Sequence, residues 1–323
     1  MMGTSNEGRA TADREVDPAC VVHVDLDGYA DICRVHGWAF AGQRDAIFES
    51  GLRNAFEFLA RYRVRATLFT IAQDIRDAAK KELLREAVGH RHEIGSHTTT
   101  HRDLRRLGPE DQRKEICESR DILEQSLGVP VLSFRAPGFS MDARSLGLLE
   151  HAGYHYDSSL FPDSRTAKRV GLDTISCSPH FVSGSRRLLE LPMPAYAPLP
   201  VPFHPSYSLI LGNGYFRMGI RRVRRTKAPL VLLFHLTDFA DPLPTAELPG
   251  WKAKIYTLSF LSREEKLRRC ARMLDLVRQH YRIVNTADLV IDTRALIETS
   301  MPAQEEQQRD QASRAVDLPS NHL

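Results

Sequence analysis

Short, apolar, β-branched runs recur along this 323-residue chain, and between them lie stretches whose apolar residues return at helical spacing. That alternation restricts the fold more than any other feature. Strands running side by side in one direction need crossovers long enough to hold a helix, so the pattern predicts a mainly parallel α/β fold. Cys20–Leu26, Ala66–Ile71, Glu93–Ser96, Val131–Arg135, Leu188–Leu191, Leu230–Phe234 and Tyr281–Asn285 read as strands. Helical spacing runs through Phe48, Leu52, Phe56 and Leu59, across Ile75–Val88, through Ile116, Ile122, Leu123 and Leu127, and over Ala143–His151 and Glu264–His280. Pro109 stands where a helix starts, Gly128 and Pro130 where it stops, and Gly153 closes the next one. Pro192, Pro194, Pro198, Pro200, Pro202 and Pro205 exclude a central strand or a helix there and predict a stiff loop over the fold. The repetition of strand–helix units suits a closed or nearly closed barrel. One domain over residues 19–300 is expected, between disordered tails at 1–18 and 301–323.

Composition narrows the function. Hydrophobic residues make up 42% and charged residues 26%, which is ordinary for a soluble globular protein, and a net charge of +3 is too small to imply a nucleic-acid partner. The 5 cysteines (Cys20, Cys33, Cys117, Cys177 and Cys270) are odd in number and contain no CxxC pair. They argue against a disulfide framework and a cysteine zinc site, and predict free thiols in a reducing compartment. Residues 1–17 are polar, with no apolar core of a secretion signal, and no window reaches the roughly 20 apolar residues of a membrane span. The expectation is a cytoplasmic protein.

The residues that point to chemistry are Val24-Asp25-Leu26-Asp27-Gly28 and Ser96-His97-Thr98-Thr99-Thr100-His101. Histidines four apart predict two imidazoles on one face of a helical turn. A carboxylate from the end of an earlier strand completes a His/His/Asp set for a divalent metal. Three protein ligands leave a coordination position open, as a catalytic site requires. In α/β barrels the chemistry gathers at the C-terminal ends of the strands. Asp25, Asp27, His97, Arg135 and His235 all fall at such ends.

In that order the motifs resemble the polysaccharide deacetylase (NodB-homology) family, carbohydrate esterase family 4. Asp25-Leu26-Asp27-Gly28 is similar to the first motif, His97-Thr98-Thr99-Thr100-His101 to the metal-binding His-Ser/Thr-x-x-His motif, and Arg135-Ala136-Pro137 to the third. Gly153–Ser159 resembles the approach to the fourth, and Leu233-Phe234-His235 the final Leu-x-His. The resemblance implies a deformed (β/α) barrel that hydrolyses an N-acyl amide, usually N-acetyl, on an amino sugar. It further implies that Asp27, His97 and His101 hold Zn²⁺, with Co²⁺, Ni²⁺ or Fe²⁺ as alternatives. Asp25 would be the general base and His235 the general acid. Arg135 would orient Asp25 through a bidentate pair, and Asp157 would play a similar part toward His235. Two departures stand out. Leu26 separates the aspartates that most of the family has adjacent, although residues i and i+2 of a strand still share a face. The fourth motif lacks its Asp-Trp ending, so Asp238 is a second candidate to orient His235.

Asp-x-Asp first motifs also occur in deformylases of lipid-linked amino sugars, so formyl is an alternative to acetyl. A catalytically silent glycan binder and a metal-free amidohydrolase are further alternatives; retention of both Asp25 and His235 and of the metal set argues against them. Arg217, Arg221, Arg222, Arg224, Arg225 and Lys227 form a basic run that is either a solvated helix face or a contact for phosphate on an anionic membrane or a lipid-linked sugar. Tyr215 and Phe216 beside it are candidates to stack on a sugar or to pack inward.

Overall fold

Alternation along β1 (Ala19–Asp25) divides the protein into two apolar compartments. Cys20, Val22 and Val24 pack into the larger core between sheet and helices, whereas Val21 joins a smaller cluster inside the curved sheet with Tyr156, Leu189, Leu191, Val231 and Leu233. By the same period, His23 and Asp25 face the inside. The computed structural model describes residues 17–299 apart from 41, 43, 183–185 and 195–202.

After β1 come α1 (Tyr29–His36), α2 (Ala46–Arg61), β2 (Thr67–Thr70), α3 (Ala78–Gly89) and β3 (Glu93–Ser96). The middle of the chain holds α4 (Pro109–Arg113), α5 (Ser119–Leu127), β4 (Ser133–Phe134), α6 (Ala143–His151), β5 (Tyr156–Asp157), α7 (Ser164–Val170), β6 (His180–Phe181) and β7 (Leu189–Glu190). The last part holds α8 (Pro205–Leu211), α9 (Asn213–Val223), β8 (Leu230–His235), α10 (Trp251–Tyr256), α11 (Arg263–Arg278) and β9 (Arg282–Ile283). The strands lie in the order β6-β7-β5-β4-β3-β2-β1-β8, with β9 beside the start of β1. Every ladder is parallel except β6–β7. Among the described residues β8 and β6 do not pair, so the sheet is a half-barrel wrapped by helices.

Most of the strands and long helices fall where the periodicity puts them, the two-residue β4, β7 and β9 included; β5 and β6 do not. β4 and β5 pair over only two residues each, and β6 runs antiparallel at an edge. Pro205 corrects the reading of the proline-rich stretch. It is the first residue of α8, where a missing N–H costs nothing, while Pro198, Pro200 and Pro202 lie outside the described residues. The expected tails lie outside them too, except at 17–18, where the Pro18 carbonyl accepts from the Arg282 N–H (2.9 Å) and ties the chain to β9. The 5 cysteines are free thiols, and none of the described helices is long and apolar enough to cross a membrane.

Candidate active site

Register brings the chemistry together. Asp25 pairs with His235 across β1 and β8, and both side chains face the inside at the C-terminal end of the sheet. Arg135, one residue beyond β4, enters from the opposite wall with no exposed surface. Its Nε lies 3.4 Å from Asp25 Oδ1, and His235 Nε2 lies 3.9 Å from Asp25 Oδ2. The Asp25–Arg135 pair is thus single-toothed, not bidentate. The other guanidinium nitrogens are committed elsewhere: Nη2 donates to His23 Nδ1 (2.6 Å) and Ser158 Oγ (3.0 Å), and the group stacks over Phe69 at 4.5 Å. Because arginine can only donate, His23 Nδ1 is the acceptor and its Nε2–H donates to Thr286 Oγ1 (3.2 Å). Burial and the Arg135 charge hold His23 well below the ordinary histidine range, in its neutral form.

The loop after β3 corrects the helical expectation for the histidines. No helix forms there: Thr98 and His101 take left-handed backbone, with φ of 68° and 57°, and the Thr98 hydroxyl accepts from the His101 N–H (3.0 Å). Two bends, rather than one helical turn, aim the rings at one point. Glu115 clamps the loop. Its carboxylate accepts from the Thr100 N–H (2.7 Å), the Thr100 hydroxyl and Arg102 Nε (3.0 Å). Glu115 sits in a π-helical stretch (Lys114–Glu118), a local widening that often marks functional positions.

Asp27 Oδ1 lies 3.4 Å from His97 Nε2 and 3.2 Å from His101 Nε2. The three ligand atoms fall within 4.8 Å of one another. Asp27 Oδ1 and both His101 nitrogens are buried with no hydrogen-bond partner among the described residues. His97 Nδ1 donates to the Arg135 carbonyl (2.8 Å), which leaves the Nε2 lone pair aimed at Asp27. Two lone-pair-bearing nitrogens converging on an unpartnered carboxylate oxygen form a donor set that fits a divalent cation, with the outer hydrogen bond that ligating histidines use. Without one, burial opposes charge, yet Asp25 and then Asp27 push the His97 imidazole up, while His101 and then His97 hold the Asp27 carboxyl well below the usual range.

Asp157 is not near His235. It pairs with Phe134, which packs on the helix side, so Asp157 faces outward and away from the lumen. There it accepts from Ser159 Oγ (2.7 Å) and shares its buried environment with Glu190, and burial raises both carboxyls. The partner of His235 comes instead from two residues nearby in space. Ser206 Oγ lies 3.0 Å from His235 Nδ1 and donates to Asp238 Oδ2 (3.0 Å), and the same Oδ2 accepts the His235 backbone N–H (3.0 Å). Nδ1 is thereby engaged, and Nε2 is left to face Asp25 and the cleft.

Ser206, His204, Asp45 and Lys80 were absent from the sequence reading. His204 is buried against His235 (ring centroids 5.1 Å apart), and its Nδ1 has no partner among the described residues. Asp45 accepts from the N–H groups of Tyr29 (2.7 Å), Ala30 (3.3 Å) and Phe48 (3.1 Å), so it caps two helices, and Lys80 Nζ reaches it at 3.0 Å and Asp74 at 2.8 Å. Gly28 follows from this: a Cβ there would meet Asp45 Oδ2 at 2.1 Å. An aspartate just ahead of a helical run and a His-Pro-Ser at a helix start were the available signals.

Asp25, Asp27, His97, His101, His204, Ser206 and His235 open into one cleft of about 1020 Å³. Beside Asp25, Asp27, His97, His101 and His235, its walls include the apolar side chains of Val35, Phe139, Ile210 and Tyr256.

Comparisons with known proteins bear on the fold. Residues 44–156, from α2 to β5, match the polysaccharide deacetylase family model, a segment that holds His97, His101 and Arg135. The Bacillus subtilis protein YxkH, named for polysaccharide deacetylase activity, is 25% identical over 179 residues, 54% of this chain and 57% of that protein. A chitooligosaccharide deacetylase of Sinorhizobium fredii is 33% identical over 82 residues, 25% of this chain and 37% of that enzyme. The chain thus spans about half and about a third of the length of these two relatives. Among solved structures, a Mycobacterium smegmatis protein named for polysaccharide deacetylase activity superposes with a TM-score of 0.61 at 18% identity, covering 89% of this chain and 93% of that one. The allantoinase PuuE superposes at 0.55 with 15% identity, covering 86% and 90%. Both share the fold. The resemblance is thus to the polysaccharide deacetylase family over residues 44–156, and to the fold of such proteins over most of the chain.

Proposed function

We propose that this protein is a metal-dependent hydrolase that removes an N-acetyl group from an amino sugar in a glycan or glycolipid precursor. One observation carries the reading: the converging Asp27, His97 and His101 donor set stands in the same cleft as the facing Asp25 and His235. Asp27, His97 and His101 would hold the ion, Zn²⁺ by the chemistry of a nitrogen-rich set with one carboxylate. When bound, such an ion polarises the acyl carbonyl and makes water more acidic.

The chain's own residues do the rest. Asp25 accepts the proton of the attacking water, and Arg135 Nε holds that carboxylate in place. As the C–N bond breaks, His235 donates a proton from Nε2 to the leaving amine. Ser206 and Asp238 stabilise the protonated ring from the Nδ1 side. Carboxylate and free amine are the products. Single-domain organisation over 19–300 is part of this reading.

Incubation of metal-loaded protein with N-acetylated chito-oligosaccharides and with N-acetyl and N-formyl amino-sugar glycosides tests it, with acetate and formate read separately. Acetate release that disappears in Asp25→Asn supports the proposal. Formate alone would replace it with the deformylase, and no product from any substrate would sink it. PuuE is an allantoinase, so allantoin belongs in the panel as the cyclic-amide alternative.

A further inference from the structure

From Leu191 to Thr237 the chain carries no acidic residue. Within that stretch, α9 turns Tyr215, Phe216, Ile220 and Val223 inward, and leaves Arg217, Met218, Arg221 and Arg222 exposed at spacings of three and four, with Arg225 just beyond. Tyr215 and Phe216 are therefore core residues, not sugar platforms. Several exposed arginines on other helices have a carboxylate one turn away, as Arg113 has Glu110 and Arg268 has Glu265. Among the described residues Arg217, Arg221, Arg222 and Arg225 have none.

A solvated basic face accounts for the charge but not for what lies within it. Met218 is 50% exposed between the arginines, and α8 ends beside them in Ile210 and Leu211, 44% and 57% exposed. Nucleic acid has no use for such side chains, whereas the headgroup region of a bilayer takes arginine and exposed Leu, Ile and Met together. Ile210 also lines the cleft that holds Asp27, His97 and His101. A surface lying against the end of α8 therefore meets the cleft mouth, where Val35 and Tyr256 add exposed apolar surface at 60% and 54%.

We propose that the α8–α9 face docks on an anionic lipid surface and presents the cleft mouth to it. Docking rests on the arginine and apolar pattern alone. Only its consequence, access to a lipid-anchored amino sugar, rests on the function proposed above. The test is sedimentation of the purified full chain with phosphatidylcholine vesicles, with and without phosphatidylglycerol, at low and high salt. Wild type is expected to bind only the anionic vesicles, and less at high salt. Each arginine near such a surface contributes roughly fivefold in partitioning, so a variant combining Arg217→Glu, Arg221→Glu, Arg222→Glu and Arg225→Glu loses at least two orders of magnitude. The same four changed to Gln lose most of it with less strain on folding. Leu211→Ser with Met218→Ser weakens binding while keeping the salt dependence. Unchanged circular dichroism shows the variants folded. The proposal is overturned if wild type stays in the supernatant, if the Glu variant binds as wild type does, or if a single-stranded oligonucleotide binds as tightly as the vesicles. None of these outcomes depends on hydrolysis, so this proposal and the hydrolase reading fail separately.

Discussion

The Asp27–His97–His101 set predicts two opposite responses to pH. In the metal-free protein, the His97 imidazole is raised and the Asp27 carboxyl depressed. Unfolded histidine titrates near about 6.5 and aspartate near about 3.9. The His97 contribution to stability is then fully present below about 6.5 and lost as pH rises through the raised folded value. The Asp27 contribution is present above about 3.9 and lost only as pH falls through its depressed value. The metal-free fold is therefore held best between those limits, and weakens as pH climbs past neutrality. A divalent ion reverses the slope, because His97 must surrender its proton to ligate. At a fixed excess of metal, each proton displaced raises the apparent affinity about tenfold per pH unit, or about 1.4 kcal/mol of added stability. For a domain of this size that corresponds to roughly 2–3 °C of Tm per unit. Thermal melts at about pH 5.5, 6.5 and 7.5, with chelator and with excess Zn²⁺, read both slopes. The metal increment should grow with pH and vanish in a His97→Ala, His101→Ala variant. An increment independent of pH, or one that survives in the double variant, would show that the ion binds elsewhere.

Three further outcomes follow from the geometry. Ser206→Ala removes the link between His235 Nδ1 and Asp238, so kcat should fall about 10-fold with the limb of the pH–rate profile set by the general acid displaced, KM little changed, and Ser206→Thr restoring both. Lys80→Met leaves Asp45 and Asp74 facing each other without their cation, which should cost about 3–5 kcal/mol in denaturant unfolding. Gly28→Ala drives a methyl into the Asp45 carboxylate, and should cost about 1–3 kcal/mol together with bound metal, measured by elemental analysis, because Asp27 is the adjacent residue.

Much of this architecture was legible in the sequence because its strongest signals are periodic. β1 and β8 are continuous apolar runs, since both their faces are covered, and α2 and α11 are long enough for their spacing to stand out. Asp25 and His235 could be read as strand ends, and the structure places them face to face. What escaped was local or tertiary. β5 pairs over two residues, too few to show alternation. That is why Asp157 could be paired with His235 on paper although the parity of β5 turns it outward. The bend at Thr98 depends on left-handed backbone in residues other than glycine, which carries no compositional mark. Ser206 reaches His235 from another element, so no spacing announces it, whereas Asp238, three residues after His235, was open to the sequence.

The place of β1 also bears on how the protein comes to be. Its neighbours on the two edges are β2 and β9 on one side and β8 on the other, and the Cys20–Leu230 partners stand about 210 residues apart in the chain. A ribosome therefore releases the first strand, with Asp25 at its end and Asp27 just beyond, long before the strand that covers it has been made. Until β8 arrives, that apolar segment can pair on one edge alone. Pairing at such separations makes assembly slow and leaves the nascent strand open to mispairing. Completion of the reacting centre is thus among the last events of folding, and a chain stalled before residue 235 holds the proposed metal ligands but not the proton donor.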